Sequence, residues 1–162
     1  MRRTLDIIDR VLCFVLVIML STMLVVGTMQ IVYRYAIEQS LSWSEELLRY
    51  LYVWATMLGI SLGIRRKSLA SIEILSDFVA KHSKLGNNIL HTVAFVIQFL
   101  VFAVLTVYGV KLIQIAGNQT APALQWKMAY IYAAFPIGGA LAMIYTAEEI
   151  YDYYFKKEVE VQ

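Results

Sequence analysis

Hydrophobic residues in this chain gather into long runs that charges interrupt only at intervals, and those intervals match the thickness of a lipid bilayer. A helix rises about 1.5 Å per residue, so roughly 20 apolar residues are needed to cross a hydrocarbon core of about 30 Å. Val11 to Tyr33, Leu85 to Val110 and Met128 to Ala147 are free of charge for 23, 26 and 20 residues. Tyr50 to Ile64 has only 15 uncharged residues and reaches spanning length if Trp43 to Arg49 forms its first turns. Ser42 followed by Glu45 predicts a capping box at that start, while Trp43, Tyr50 and Tyr52 suit an interfacial aromatic belt. The pattern predicts an all-α integral membrane protein, a single domain over 1–162, with four transmembrane helices at about 11–33, 43–64, 85–110 and 128–147.

The link between the second and third spans has a different pattern. Ile72, Leu75, Phe78 and Val79 recur at helical spacing, and Glu73, Asp77, Lys81 and Lys84 fall on the other side. This predicts a short amphipathic interfacial helix between helices 2 and 3, at about 69–81, lying flat in the headgroup layer. The alternative is a soluble-type helix folded onto the bundle.

Basic residues set the expected orientation, because loops rich in lysine and arginine stay on the cytoplasmic side. Arg2, Arg3, Arg10, Arg65, Arg66, Lys67, Lys81, Lys84, Lys156 and Lys157 fall on one side, ten of the 14 basic residues. Arg34, Arg49, Lys111 and Lys127 fall on the other. Both termini are therefore expected in the cytoplasm. The apolar stretch after Arg10 is too long for a signal h-region and no small-residue cleavage site follows it, so the first span is expected to remain as an anchor.

Composition narrows the function classes. At 60% hydrophobic and 16% charged residues, with a mean hydropathy of +0.64, the chain belongs in lipid. A net charge of +2 supplies no field for nucleic acid, and the aromatic and basic run Tyr151, Tyr153, Tyr154, Phe155, Lys156 and Lys157 reads as a membrane-interface anchor, where the chain meets membrane lipids. The single cysteine, Cys13, excludes an internal disulfide and a cysteine-based metal cluster. No glycine-rich phosphate loop, Ser/His/Asp set or His/Cys ligand spacing is present, so neither a catalytic group nor a cofactor is expected in this chain. Asn118, Gln119 and Thr120 match a glycosylation sequon on the expected outer face, a pattern that is silent in a bacterium.

Span two carries the most informative pattern. At 100° per residue Glu45, Arg49, Tyr52, Thr56, Gly59 and Gly63 share one face, so an acid–base pair at i,i+4 heads a stripe that ends in two small residues. An unpaired charge near the bilayer centre costs at least ~2.5–3.5 kcal/mol, so a partly buried Glu45 and Arg49 are expected to pair. The cluster then fixes a contact with a partner or a lipid headgroup; a solvated charged turn at a helix start is the alternative. Ala134, Gly138 and Ala142 form a second small-residue stripe, so spans two and four are expected to cross closely, and Pro136 is expected to kink span four near its middle. His91 and Gln98 are the strongly polar groups deep in span three, where interhelical hydrogen bonding suits them better than a proton relay. No acidic residue lies in the central half of any expected span, whereas an ion-coupled site normally requires one.

The residues also resemble a known family. Trp43, Ser44, Glu45, Glu46, Leu47, Leu48, Arg49 and Tyr50, continuing through Val53, Trp54, Leu58, Gly59, Arg65 and Arg66, resemble the signature of the small membrane subunit of tripartite ATP-independent periplasmic (TRAP) transporters, the DctQ-like family. Thr120, Ala121, Pro122, Ala123 and Leu124, then Tyr132, Pro136, Ile137 and Gly138, look like the family's motif before its last span. Leu69, Trp126 and Lys127 depart from the usual pattern. The resemblance implies a small subunit in the bacterial inner membrane that braces a large multi-span subunit during sodium-coupled uptake of an organic acid. A periplasmic substrate-binding protein would deliver that acid, a carboxylate such as a C4-dicarboxylate or sialic acid, and sodium would bind the large subunit. The alternative class, a self-sufficient four-helix exporter, requires a buried membrane carboxylate that this chain lacks.

Overall fold

A computed structural model describes residues 2–38, 41–66 and 84–155, and the described chain is helical almost throughout. Helix α1 runs Arg2–Ala36, α2 Ser42–Arg65, α3 Lys84–Ala116, α4 Ala129–Tyr132 and α5 Ala134–Phe155. Four helical stretches are long and apolar enough to cross a membrane: Leu5–Ala36, Ser42–Arg65, Ile89–Ala116 and Ala129–Tyr151. The expected amphipathic helix at 69–81 lies outside the described residues. Helix α1, with 35 residues, is about 52 Å long, well beyond a hydrocarbon core of about 30 Å. It begins nine residues earlier than the expected span, so its first turns carry Asp6, Asp9 and Arg10 outside the apolar run.

The helices form an open row instead of a closed bundle. Helix α1 packs on α2, α2 on α5 and α5 on α3, while α1 and α3 do not pair among the described residues. Only 17% of the most apolar window of α1 and of α3 is buried, against 33% for α2 and 39% for the last span. Phe14, Leu24 and Ile115 remain 67%, 73% and 81% exposed, a surface that only lipid or another apolar protein face can cover.

Close approach at the centre of the row depends on small residues of α5. Ala134 and Ala142 are fully buried, and a Cβ added to Gly138 would sit 2.7 Å from Met57 Cβ. Ser61 of α2 uses this proximity: its hydroxyl lies 2.9 Å from the Gly138 carbonyl and 2.9 Å from its own Met57 carbonyl. On the far side of α5, Cβ atoms at Gly109 and Gly139 would meet Pro136 Cδ at 2.8 Å and Thr106 Oγ1 at 2.4 Å, so α3 is equally tight. Gln98 Nε2 donates to Thr146 Oγ1 across the same interface at 3.0 Å, as interhelical bonding requires.

Two expectations about helix geometry are corrected. The last span is interrupted at Ala133, near its start and not its middle. Pro136 explains the position, since it supplies no N–H to the Tyr132 carbonyl. At the start of α2 no capping box forms: Leu41 is the cap residue without a side-chain bond, and Ser44 donates to the Leu41 carbonyl at 2.7 Å.

Candidate functional site

Two polar constellations sit at opposite ends of the helix row. At the first, the opening turns of α2 meet the loop between α3 and α4. That loop is a small hairpin: Thr120 bridges Lys127, Ala121 N donates to the Trp126 carbonyl at 2.9 Å, and Gln125 N donates back to Ala121 at 3.0 Å. Its turn presents the N–H groups of Ala123 and Leu124 to Glu46 Oε2 at 2.9 and 2.7 Å, and the Tyr50 hydroxyl donates to Glu46 Oε1 at 2.9 Å. Tyr50 is itself buried against Ala121 and Ile131, and Trp126, half exposed, places its ring 6.4 Å from that of Tyr50. One carboxylate therefore fastens helix to loop. Trp54 adds a second fastening, its indole N–H donating to the Tyr130 carbonyl at 3.0 Å.

Glu45 and Arg49 do not pair with each other among the described residues. Glu45 instead accepts from Gln30 Nε2 of α1 at 3.2 Å, and Arg49 stays exposed. Trp43 and Pro122 are exposed beside them. A cavity of about 540 Å³ opens between α2, the hairpin and α4, with Glu45, Glu46 and Arg49 at its rim and Val53, Ile131 and Phe135 along its floor.

Gly59 and Gly63 lie apart from this constellation. Nothing comes within 4 Å of a Cβ built on either, and Tyr52 on the same face is 61% exposed. The contact between spans two and four uses the small residues of α5 together with Ser61 of α2; the Gly59 and Gly63 face of α2 points away from the row.

At the opposite end Arg65 gathers the other helices. Its guanidinium donates to the Leu5 carbonyl, lies 2.5 Å from Asp6 Oδ1, 3.9 Å from Asp9 Oδ1 and 3.5 Å from Glu148 Oε2, and sits 5.4 Å from the centre of the Tyr145 ring. Arg66 donates to Asp9 Oδ2 at 3.1 Å and to Cys13 Sγ at 2.8 Å. The Asp9 bond and its charge push the Arg66 guanidinium above its ordinary pKa. Arg65 is only 13% exposed and Asp9 and Glu148 are mostly covered, so α1, α2 and α5 are joined here by ion pairs largely withdrawn from solvent, with Asp6 and Arg66 at the exposed edge. Sequence reasoning found the two arginines and missed Asp6, Asp9, Tyr145 and Glu148. The signal was present as an i,i+3 acid pair before the first apolar run and an acid just after the last.

His91 stacks 4.6 Å from Tyr153 and 6.0 Å from Phe95, an aromatic packing role at the edge of α3. No group of three His, Cys, Asp or Glu side chains suited to a metal ion occurs among the described residues.

Neither constellation pairs a nucleophile with a base; both bind helices and loops together. Comparison with known proteins agrees with that character. The profile of the family described as tripartite ATP-independent periplasmic transporters, DctQ component, matches residues 23–154. The chain is 23% identical over 146 residues to the sialic acid TRAP transporter small permease protein SiaQ of Vibrio cholerae, covering 90% of this chain and 83% of that protein. It is 30% identical over 115 residues to the sialic acid TRAP transporter permease protein SiaT of Haemophilus influenzae, covering 70% of this chain but only 18% of that longer protein. The family is a transporter component and not an enzyme. This multi-pass membrane protein belongs to the DctQ component family of the tripartite ATP-independent periplasmic transporters.

Proposed function

We propose that this chain is the small permease subunit that braces a large membrane subunit during sodium-coupled, binding-protein-dependent uptake of an organic acid. The observation that carries the reading is the pair of relatives: the chain matches most of a small permease protein and also a minor part of a much longer permease protein. A polypeptide that occurs both alone and within a larger transporter chain is suited to lie against the rest of that transporter. The open helix row supports this, because α1 and α3 leave wide apolar faces for a neighbour.

In this reading sodium and substrate bind the large subunit, and this chain holds no cofactor of its own. Sialic acid, named for both relatives, is the first organic acid to test. The chain sits in the inner membrane with both termini in the cytoplasm, the ion cluster of Arg65 at that side and the hairpin of 117–128 at the periplasmic side, where the binding protein docks. The test is uptake in proteoliposomes. The complete system should take up the acid on a sodium gradient, the large subunit without this chain should not, and this chain alone should transport nothing. Full uptake without it, or sodium-driven uptake by it alone, would overturn the reading.

A further inference from the structure

We propose that the cavity between the start of α2 and the hairpin is a binding site for an amine-bearing zwitterionic phospholipid, with the headgroup on Glu45 and Arg49 and the chains along Val53, Ile131 and Phe135. The shape of the cavity follows from the packing on either side of it. Gly138 draws α5 tightly onto α2 at Met57, and beyond that crossing the larger Ile131, Tyr132 and Phe135 line the cavity in place of small residues. Glu46 closes the outer wall by fixing the 121–125 turn.

Polarity along the cavity changes in the sense that an amphiphile requires. From Glu45 to Val53 is eight residues of helix, about 12 Å, over which the lining passes from charged rim to apolar floor. Glu46 is already satisfied by three donors, which leaves the exposed Arg49 guanidinium and the Glu45 carboxylate, with a single bond from Gln30, to meet a ligand. Among the described residues the rim offers the exposed Arg49 guanidinium one helical turn from the Glu45 carboxylate, with Glu46 close by, so it does not favour a purely anionic head. It complements a phosphate next to a primary ammonium: guanidinium donors match phosphate oxygens, and the ammonium donates to the carboxylate. A quaternary ammonium has no N–H to donate, so a choline head should bind less well. A cavity of about 540 Å³ is large enough for the head and the first part of the chains.

The inference stands apart from the transport role. Native mass spectrometry of the full chain, delipidated and then titrated with phosphatidylethanolamine, phosphatidylcholine or phosphatidylglycerol, tests it directly. The ethanolamine lipid should be retained in preference to both others. Glu45→Gln should remove the preference over the choline lipid, and Arg49→Gln should lower retention roughly tenfold, the loss of about one charge-assisted hydrogen bond. Val53→Trp, which fills the floor and leaves every charge in place, should lower retention of all three lipids while α-helical circular dichroism is unchanged. Equal retention of the three lipids by the unaltered chain, or retention indifferent to Glu45→Gln and Val53→Trp, would overturn the proposal. So would a photo-crosslinker at Val53 that captures a protein helix and no lipid in the assembled transporter.

Discussion

The Glu46 carboxylate, bonded to two backbone amides of the hairpin turn and to the Tyr50 hydroxyl, fastens the loop after α3 to the first turns of α2. Replacing Glu46 with alanine removes all three bonds at once and should lower the thermal midpoint of the detergent-solubilised chain and expose the 121–125 turn to protease. Glu46→Gln, which retains an acceptor oxygen, should recover part of that loss. Gln125 tests the same turn from the backbone side. Its φ of 55° lies in the left-handed region, so Gln125→Gly should stabilise the chain by up to about 1 kcal/mol and Gln125→Val should destabilise it. The sequence announced Glu46 and Tyr50 only as part of a familiar run of residues. It did not announce their partners, because backbone amides of a distant turn leave no trace in residue identity. The pairing of Glu45 with Arg49 was expected from their i,i+4 spacing, and Gln30 of α1 took the carboxylate instead. Spacing along one helix says nothing of a competing donor on the next.

Among elements, the α2–α5 crossing rests on Gly138. A side chain there must displace the Met57 backbone, whose carbonyl carbon would lie 3.2 Å from the new Cβ, so Gly138→Leu should cost about 1–3 kcal/mol in a detergent or urea unfolding series. Gly59→Ala and Gly63→Ala meet open space and should stay within about 0.5 kcal/mol of neutral for the isolated chain. If either weakens co-purification with a large subunit despite that neutrality, the outward face of α2 is where the partner lies. At the other end of the row Arg65→Ala leaves Glu148 partly buried without its cation and Asp9 with Arg66 alone, which should destabilise the chain by up to about 3 kcal/mol, whereas the same change at the half-exposed Arg66 should be milder. Four helices were legible from charge-free intervals, because a bilayer imposes one length on every span. The crossing of the second and last spans was legible too, from Ala134, Gly138 and Ala142, and the structure places those residues against α2. The places of α1 and α3 in the row were not, since each is apolar on most sides. The small residues of α2 look the same in sequence as those of α5, and only the structure separates the face used within the chain from the one left open.

For the whole molecule, the open row gives two ends of unlike chemistry, the hairpin with Glu46 at one and the Arg65 ion cluster at the other. Along the sequence ten of the basic residues lie before the first apolar run, between the second and third or after the last, and four lie in the other two intervals, an asymmetry of the kind that holds a multi-pass protein in one orientation. Single cysteines at Ser68, in the link after α2, and at Gln119, in the hairpin, report on the two sides. Both are made in a Cys13→Ser background, where a serine hydroxyl can still accept from Arg66, so the ion cluster that joins α1 to α2 is preserved. Intact cells treated with a membrane-impermeant thiol reagent should show labelling at Gln119 and protection at Ser68, and permeabilised cells should show both. The exposed position of Gln119 removes burial as a reason for silence there. Labelling of Ser68 alone would invert the molecule, placing the hairpin, with Trp126 and the lipid cavity beside it, in the cytoplasm and out of reach of any periplasmic binding protein. Equal labelling at both positions in intact cells would mean that the charge asymmetry fails to select a single orientation.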